Sequence, residues 1–379
     1  MLTARLLAAA PAIESLHRLY DLSLVSKTNP VLANVEACSI EIPVSEFRAF
    51  LDSDLVYTEG KRGPLTLAEK RDCLERLLDD HFLLWAAYQK KADQTPGVAG
   101  LLNTTRNMLL EEALIQREIG MTAGSPEDYQ KSSDALRQRI FDKTDIRVSN
   151  EAYATLKAAV GRLNQAETKT ATNHSAGTAT PDGLTARERE TRLATCKVGT
   201  VTIGDVLQAY EQQPADRRPD LARPDGLIAL LKQMLGDALM VAEARDRGLE
   251  HSILVREKLQ LNRNVLSRMW YLDQLTAQAV ATLKQPGTED KLREWYQAHL
   301  KSLYTDRDAA GAEHVVSFEG EHDRIQDDYF EDLQTRLRAE TIQSLRRGRK
   351  IRIDESRLAE LRVQWPLPPP AEAESRDNL

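Results

Sequence analysis

The chain is poor in the features that most often betray a function. Aromatic residues fill only 5% of its 379 positions, against 41% apolar and 29% charged ones. That balance argues against a β-sandwich or barrel and for helices packed through Leu, Ile, Val and Ala. Three cysteines, Cys38, Cys73 and Cys196, cannot all pair with one another and show no CxxC or metal-ligand spacing, so they read as small structural side chains. No run of 18 apolar residues occurs, and no helical membrane span is expected. The net charge is −7, and the basic residues near Arg346, Arg347, Arg349, Lys350 and Arg352 stand close to acidic ones. An extended basic surface for nucleic acid is therefore not expected.

Catalytic signatures are missing as well. The sequence holds no glycine-rich phosphate loop, no GxSxG, no HExxH and no Gly-Gly pair. His314, Glu319, Glu321 and His322 could be drawn together as a metal site, yet their spacing fits no zinc template. We expect neither cofactor nor metal.

What the chain does have is repetition. Residues 73–110 align without gaps over 230–267 at a constant offset of 157, with nine identities that include Leu74/Leu231, Asp80/Asp237, Arg106/Arg263 and Asn107/Asn264. Two flanking blocks recur in the same order, Ile40–Phe47 with Val198–Val206 and Ile146–Leu156 with Ile351–Leu361. Two copies of one module are the simplest reading. The expected fold is mainly α, with two repeated helical modules that each carry a small two-stranded element.

The order along the chain follows. Residues 1–35 read as an N-terminal helical extension with a helix near Ile13–Leu24; the apolar stretch at Leu2–Ala12 is too short for a convincing signal peptide. The first module covers 36–162, a flexible linker 163–190, the second module 191–365 and a disordered tail 366–379 that opens on Pro-Leu-Pro-Pro-Pro. Thr66 with Glu69 predicts a capping box for a helix running to about Ala92. Gly248 predicts the end of a helix that starts near Asp225.

The second module resembles a known family. Val198-Gly-Thr-Val-Thr-Ile-Gly-Asp-Val206, the helix Leu230-Leu-Lys-Gln-Met-Leu-Gly-Asp-Ala-Leu-Met-Val-Ala-Glu-Ala-Arg-Asp-Arg-Gly-Leu249 and Lys291-Leu-Arg-Glu-Trp-Tyr-Gln-Ala-His-Leu300 are similar to the chaperone domain of SurA-like periplasmic foldases. Tyr329–Leu345 and Ile351-Arg-Ile353 look like the helix and strand that close that domain. In the family a parvulin-type prolyl isomerase domain precedes this closing pair. Here only the segment Tyr304–Tyr329 stands in its place, and without a Gly-Gly pair the isomerase core motif is absent.

The resemblance implies a chaperone-like binder of non-native or extended polypeptide, without isomerase catalysis, in the periplasm or at the outer face of a membrane. A cytoplasmic location stays open because no signal peptide is evident. A dedicated assembly or accessory subunit that holds one protein partner is the second reading, and an active prolyl isomerase is the third. Asp80 with Arg106, and Asp237 with Arg263, are expected to form structural ion pairs where the long helices cross, braced by Asn107 and Asn264. Trp85, Met240, Met269, Trp270 and Trp295 are the candidate client-binding side chains, because Met and aromatic groups adapt to many sequences. His81 reads as a hydrogen-bonded core histidine.

Overall fold

The computed structural model describes residues 29–36, 38–55, 65–120, 126–170, 184–214, 217–307 and 313–361. The helix expected near Ile13–Leu24, the middle of the expected linker and the proline-rich tail lie outside them. The first half of the chain runs through β1 (Val31–Val35), β2 (Ile40–Pro43), α1 (Val44–Leu55), α2 (Leu67–Gln89), α3 (Pro96–Ile119), α4 (Pro126–Lys143), β3 (Arg147–Val148) and α5 (Asn150–Thr170). The second half begins with α6 (Ala186–Arg189), β4 (Arg192–Cys196), β5 (Gly199–Thr202), α7 (Ile203–Glu211) and α8 (Pro224–Asp246). It continues with α9 (Ile253–Leu283), α10 (Thr288–Leu303), β6 (Thr305–Arg307), β7 (Glu313–Val315), α11 (His322–Arg346), β8 (Ile351–Ile353) and α12 (Glu355–Glu360). The protein is mainly helical with small antiparallel sheets.

Local chemistry sets the helix ends. Thr66 and Glu69 form a complete capping box at α2, and Thr185 with Glu188 and Thr202 with Asp205 do the same at α6 and α7. Pro224 opens α8, where its missing N–H costs nothing. The chain leaves α8 through Gly248 at φ +69°. At the equivalent point after α2, Lys91 takes the same left-handed conformation at φ 53°. A short 3₁₀ turn follows in each place, Ala92–Gln94 and Leu249–His251.

The compact units are not the contiguous halves expected from the sequence. One unit is Ala99–Arg263; the other combines the described residues up to Val98 with those from Asn264 onward. The boundaries at 162 and 191 therefore both fall inside a single unit. Where a linker is expected from 163, α5 continues as helix to Thr170.

Each unit draws strands from both sides of the sequence repeat. In the discontinuous unit the sheet order is β2-β1-β8, so a hairpin from the first copy takes its third strand from the end of the second. Ala33 faces Ile353 and Val35 faces Ile351 in that antiparallel pairing. In the contiguous unit the order is β3-β4-β5, with Arg147 opposite Thr195 and Val148 opposite Ala194. The expected strands thus share sheets, but through central strands, β1 and β4, that the sequence pattern did not reveal. Val31–Val35 is strand where a helical extension is expected.

Burial follows the same exchange. In the discontinuous unit Leu32, Ile42, Phe47, Leu74, Leu78 and Phe82 pack with Leu358 and Leu361 of the chain's other end. Leu83 and Ala87 of α2 pack against Tyr271 of α9. His81 contacts Glu46 at 2.9 Å. The remaining core of this unit is the aromatic cluster of Tyr296, Tyr304, Phe318 and Tyr329 between α10 and α11. The contiguous unit has one large core in which Leu110 and Leu114 of α3, Leu156 of α5 and Leu231, Leu239 and Met240 of α8 are buried.

Candidate polypeptide-binding surface

The contiguous unit carries an open trough along α8. Residues of α8 that face the core, such as Leu231 and Leu239, are 0% and 1% exposed, while the next face holds Met234, Ala238, Val241 and Ala242. With α3 alongside, these side chains floor a hollow of about 740 Å³ that also includes Met108 and Val198. Met108 is 66% exposed, a long apolar side chain standing in water on the rim. Met234 is shared with a second hollow of about 310 Å³ beside Val201, Ala209 and Leu235. The two hollows together run from α3 across α8 to α7 and the edge strand β5, and their lining is mixed, with Asn107, Glu111, Asp237 and Arg245 standing among the apolar side chains. Small residues keep the floor low, and the two flexible thioethers let its shape change at little cost.

Charges border the trough. Arg245 donates to Asn107 Oδ1 at 3.0 Å. Arg137 hydrogen-bonds Glu111 and lies 3.6 Å from Asp237, so one guanidinium joins α4, α3 and α8. Its hydrogen bond to Glu111 raises the Arg137 pKa above the ordinary arginine value, locking the charge in place. Among the described residues no helix is long and apolar enough to cross a membrane, and no group of three His, Cys, Asp or Glu side chains could hold a metal ion. His322, drawn above in a possible metal set, instead pairs with Glu289 at 3.1 Å.

The expected ion pairs form with other partners. Asp80 accepts from Arg268 and Arg338, which lie on α9 and α11, and Asp237 is served by Arg137. Arg263 instead reaches Gln260 on its own helix, and among the described residues Arg106 forms no ion pair. The reason lies in the exchange: α2 packs beside the later part of α9, where Arg268 and not Arg263 is in reach. At the offset of 157, Arg268 corresponds to Glu111, so the contact position recurs with the opposite sign. Arg137 restores the balance by bridging the two acids. Asn107 and Asn264 do brace helix contacts, accepting from Arg245 and Tyr88 respectively.

Of the candidate client-binding side chains, Met240 is 0% exposed in the core of the contiguous unit and is unavailable to a client. On the adjoining face of the helix, Met234 is partly exposed and lines the trough, and Val241, 7% exposed, lies at its base. Trp85 is half-buried, with the Arg349 guanidinium 4.6 Å from its ring centre. Trp270 packs at the margin of the Tyr271 cluster. Trp295 is held by His299, stacked at 4.3 Å, and by edge contacts to Tyr304 and Tyr329. Met269 is half-buried on α9. Met234 and Met108, the second of which sequence reasoning missed, are the better placed. The signal available was their spacing: each stands beside an identity shared by the repeat copies, Leu109 and Leu235. Compared with known proteins, the chain matches no family model, no curated protein and no solved structure.

Proposed function

We propose that the protein binds extended or non-native polypeptide in the trough of the contiguous unit, without prolyl isomerase chemistry. The observation that carries this reading is the joined pair of hollows about Met234, open to solvent and edged by the 66%-exposed Met108. Apolar side chains gathered in one open hollow and rimmed by polar ones mark a surface that a partner covers. An extended chain fits such a hollow, and thioethers suit a surface that must accept many sequences. The resemblance of 198–361 to the SurA chaperone domain supports the same reading, and with it a location outside the cytoplasm rather than within it. Proline isomerisation needs a walled cup, and the described residues between Tyr304 and Tyr329 form the short strands β6 and β7 and the start of α11, which supports a reading without it.

The test is suppression of aggregation. The purified chain should hold a denatured client at near-stoichiometric ratio and leave the exchange rate of an X-Pro peptide unchanged. Met108→Glu should weaken holding several-fold while the protein stays folded. If several unrelated unfolded proteins escape capture while one native protein binds tightly, the assembly-subunit reading replaces this one. Isomerase activity that persists after contaminating isomerases are removed refutes the second half.

A further inference from the structure

The trough changes character at one end. Lys197 lines both the Met108 hollow and a neighbouring hollow of about 510 Å³ in the same unit. That second hollow is cationic: Arg139, Lys143, Arg147, Lys197 and Arg247 face it, against Asp145 and Glu243. Much of this charge is used internally. Glu118 takes Arg139 at 2.6 Å and also Arg247, and the Arg247 hydrogen bond holds the Glu118 carboxyl below its ordinary range. Glu243 accepts from Arg247 at 2.9 Å, and Lys197 lies between Glu243 at 3.4 Å and Asp246 at 3.3 Å.

What remains is a surplus of positive charge at the mouth. Lys143 is exposed and, among the described residues, forms no ion pair. Arg147 pairs only with Asp145, and both side chains are largely in water, where such a pair is weak and easily exchanged. The carbonyls at the end of α4, which would otherwise oppose an anion, are partly engaged: Thr144 donates its hydroxyl to Ile140 O at 2.9 Å and its N–H to Phe141 O at 2.9 Å. Lys143 thus presents an ammonium with no acidic partner among the described residues, and Arg147 a guanidinium held only by the exposed Asp145, beside a cavity wide enough for a carboxylate.

We infer that the polypeptide bound in the trough carries a carboxylate beyond its apolar stretch, seated between Lys143 and Arg147 while the apolar side chains lie over Met234 and Met108. This rests on the polypeptide-binding reading and sharpens it to a class of segment, apolar then acidic. The acid comes from an Asp or Glu side chain or from the chain's own C-terminus; the cavity chemistry is the same for both.

The experiment compares three fluorescent peptides that share one apolar core. One is neutral and amidated, one has two glutamates after the core and an amidated end, and one ends in a free carboxylate directly after the core. Binding is read by anisotropy on the full chain and on the double variant Lys143→Gln/Arg147→Gln, whose exposed positions leave the fold intact. An acid-bearing peptide should bind about tenfold more tightly than the neutral one. That advantage should shrink with added salt and vanish in the double variant, while affinity for the neutral peptide stays the same. Whichever acid-bearing peptide gains identifies the source. Equal binding of all three, or an acidic advantage that survives in the double variant, overturns the inference and leaves polypeptide binding standing. Failure of every peptide to bind overturns both.

Discussion

Tyr88 donates its phenol hydrogen to Asn264 Oδ1 at 2.6 Å. One repeat length away, Arg245 donates to Asn107 Oδ1 at 3.0 Å, the same contact with a different donor. Each joins a helix of one sequence copy to a helix of the other, within its own unit. The tyrosine contact is half-buried, so Tyr88→Phe should cost about 1 kcal/mol. A double-mutant cycle with Asn264→Ala should return a coupling of similar size. Additive losses in urea melts show that the bond does no work.

The pair of arginines on Asp80 should be worth more than an ordinary surface bridge. The Asp80 side chain is 22% exposed and the guanidinium groups of Arg268 and Arg338 converge on it. Asp80→Ala should destabilise by about 1–2 kcal/mol, between the 0–1 of exposed pairs and the 3–5 of buried ones. Denaturant melts of Asp80→Ala and of Asp237→Ala, whose side chain is 80% exposed, should separate clearly.

Asp79 should behave in the opposite sense. Burial raises its pKa above the ordinary aspartate value, against the pull of Arg346. A raised pKa means that the folded state keeps its proton to higher pH than the unfolded chain. Its favourable contribution is therefore complete below the unfolded value near 4 and is lost as pH climbs through the folded value. Asp79→Asn should stabilise the protein at neutral pH, by about 2–4 °C in Tm for each kcal/mol recovered, and should make no difference in acid. Equal melting of the two proteins at pH 7 would count against this.

Two methionines on one helix should part company. Met240 is fully buried, and Met240→Ala should cost about 2–5 kcal/mol by leaving a cavity. Met234→Ala, at the junction of the two hollows, should cost less stability and more client affinity. Parallel losses of stability and binding in both variants would mean that the trough is ordinary core margin.

Gly226 tests backbone packing. A Cβ there would lie 2.6 Å from the carbonyl carbon of Asp220 and overlap its oxygen. Gly226→Ala should destabilise by more than the usual gain from glycine to alanine in a helix, about 1 kcal/mol, can offset. A more stable variant in thermal melts would show that the turn at Asp220 yields.

The long helices were legible because their ends and apolar faces are written locally, whereas α1, α6 and α12 escaped the sequence reading. Thr66 with Glu69 marks the start of α2, Gly248 the end of α8, and Leu74, Leu77 and Leu78 repeat at helical spacing. The central strands were not. Val31-Leu-Ala-Asn-Val35 offers no clean alternation, and Leu193-Ala194 is two buried residues in a row, because a strand bonded on both sides takes its identity from its neighbours. The partners of Asp80 were beyond reach for another reason. Arg338 stands 258 positions away, and only the exchange of elements between copies brings α11 to α2.

That exchange also fixes an order of events. Val35 waits for Ile351 to complete its sheet, whereas β3, β4 and β5 all lie within 147–202. As the chain emerges from a ribosome, the contiguous unit has every residue it needs while the unit around β1 still lacks its last strand, and pairings so distant in sequence form slowly. Through that interval β1 presents an unpaired edge beside the buried Leu32, Ile42 and Phe47, the kind of surface on which nascent chains aggregate. A protein proposed to shelter unfinished chains is, by its own connectivity, long unfinished itself.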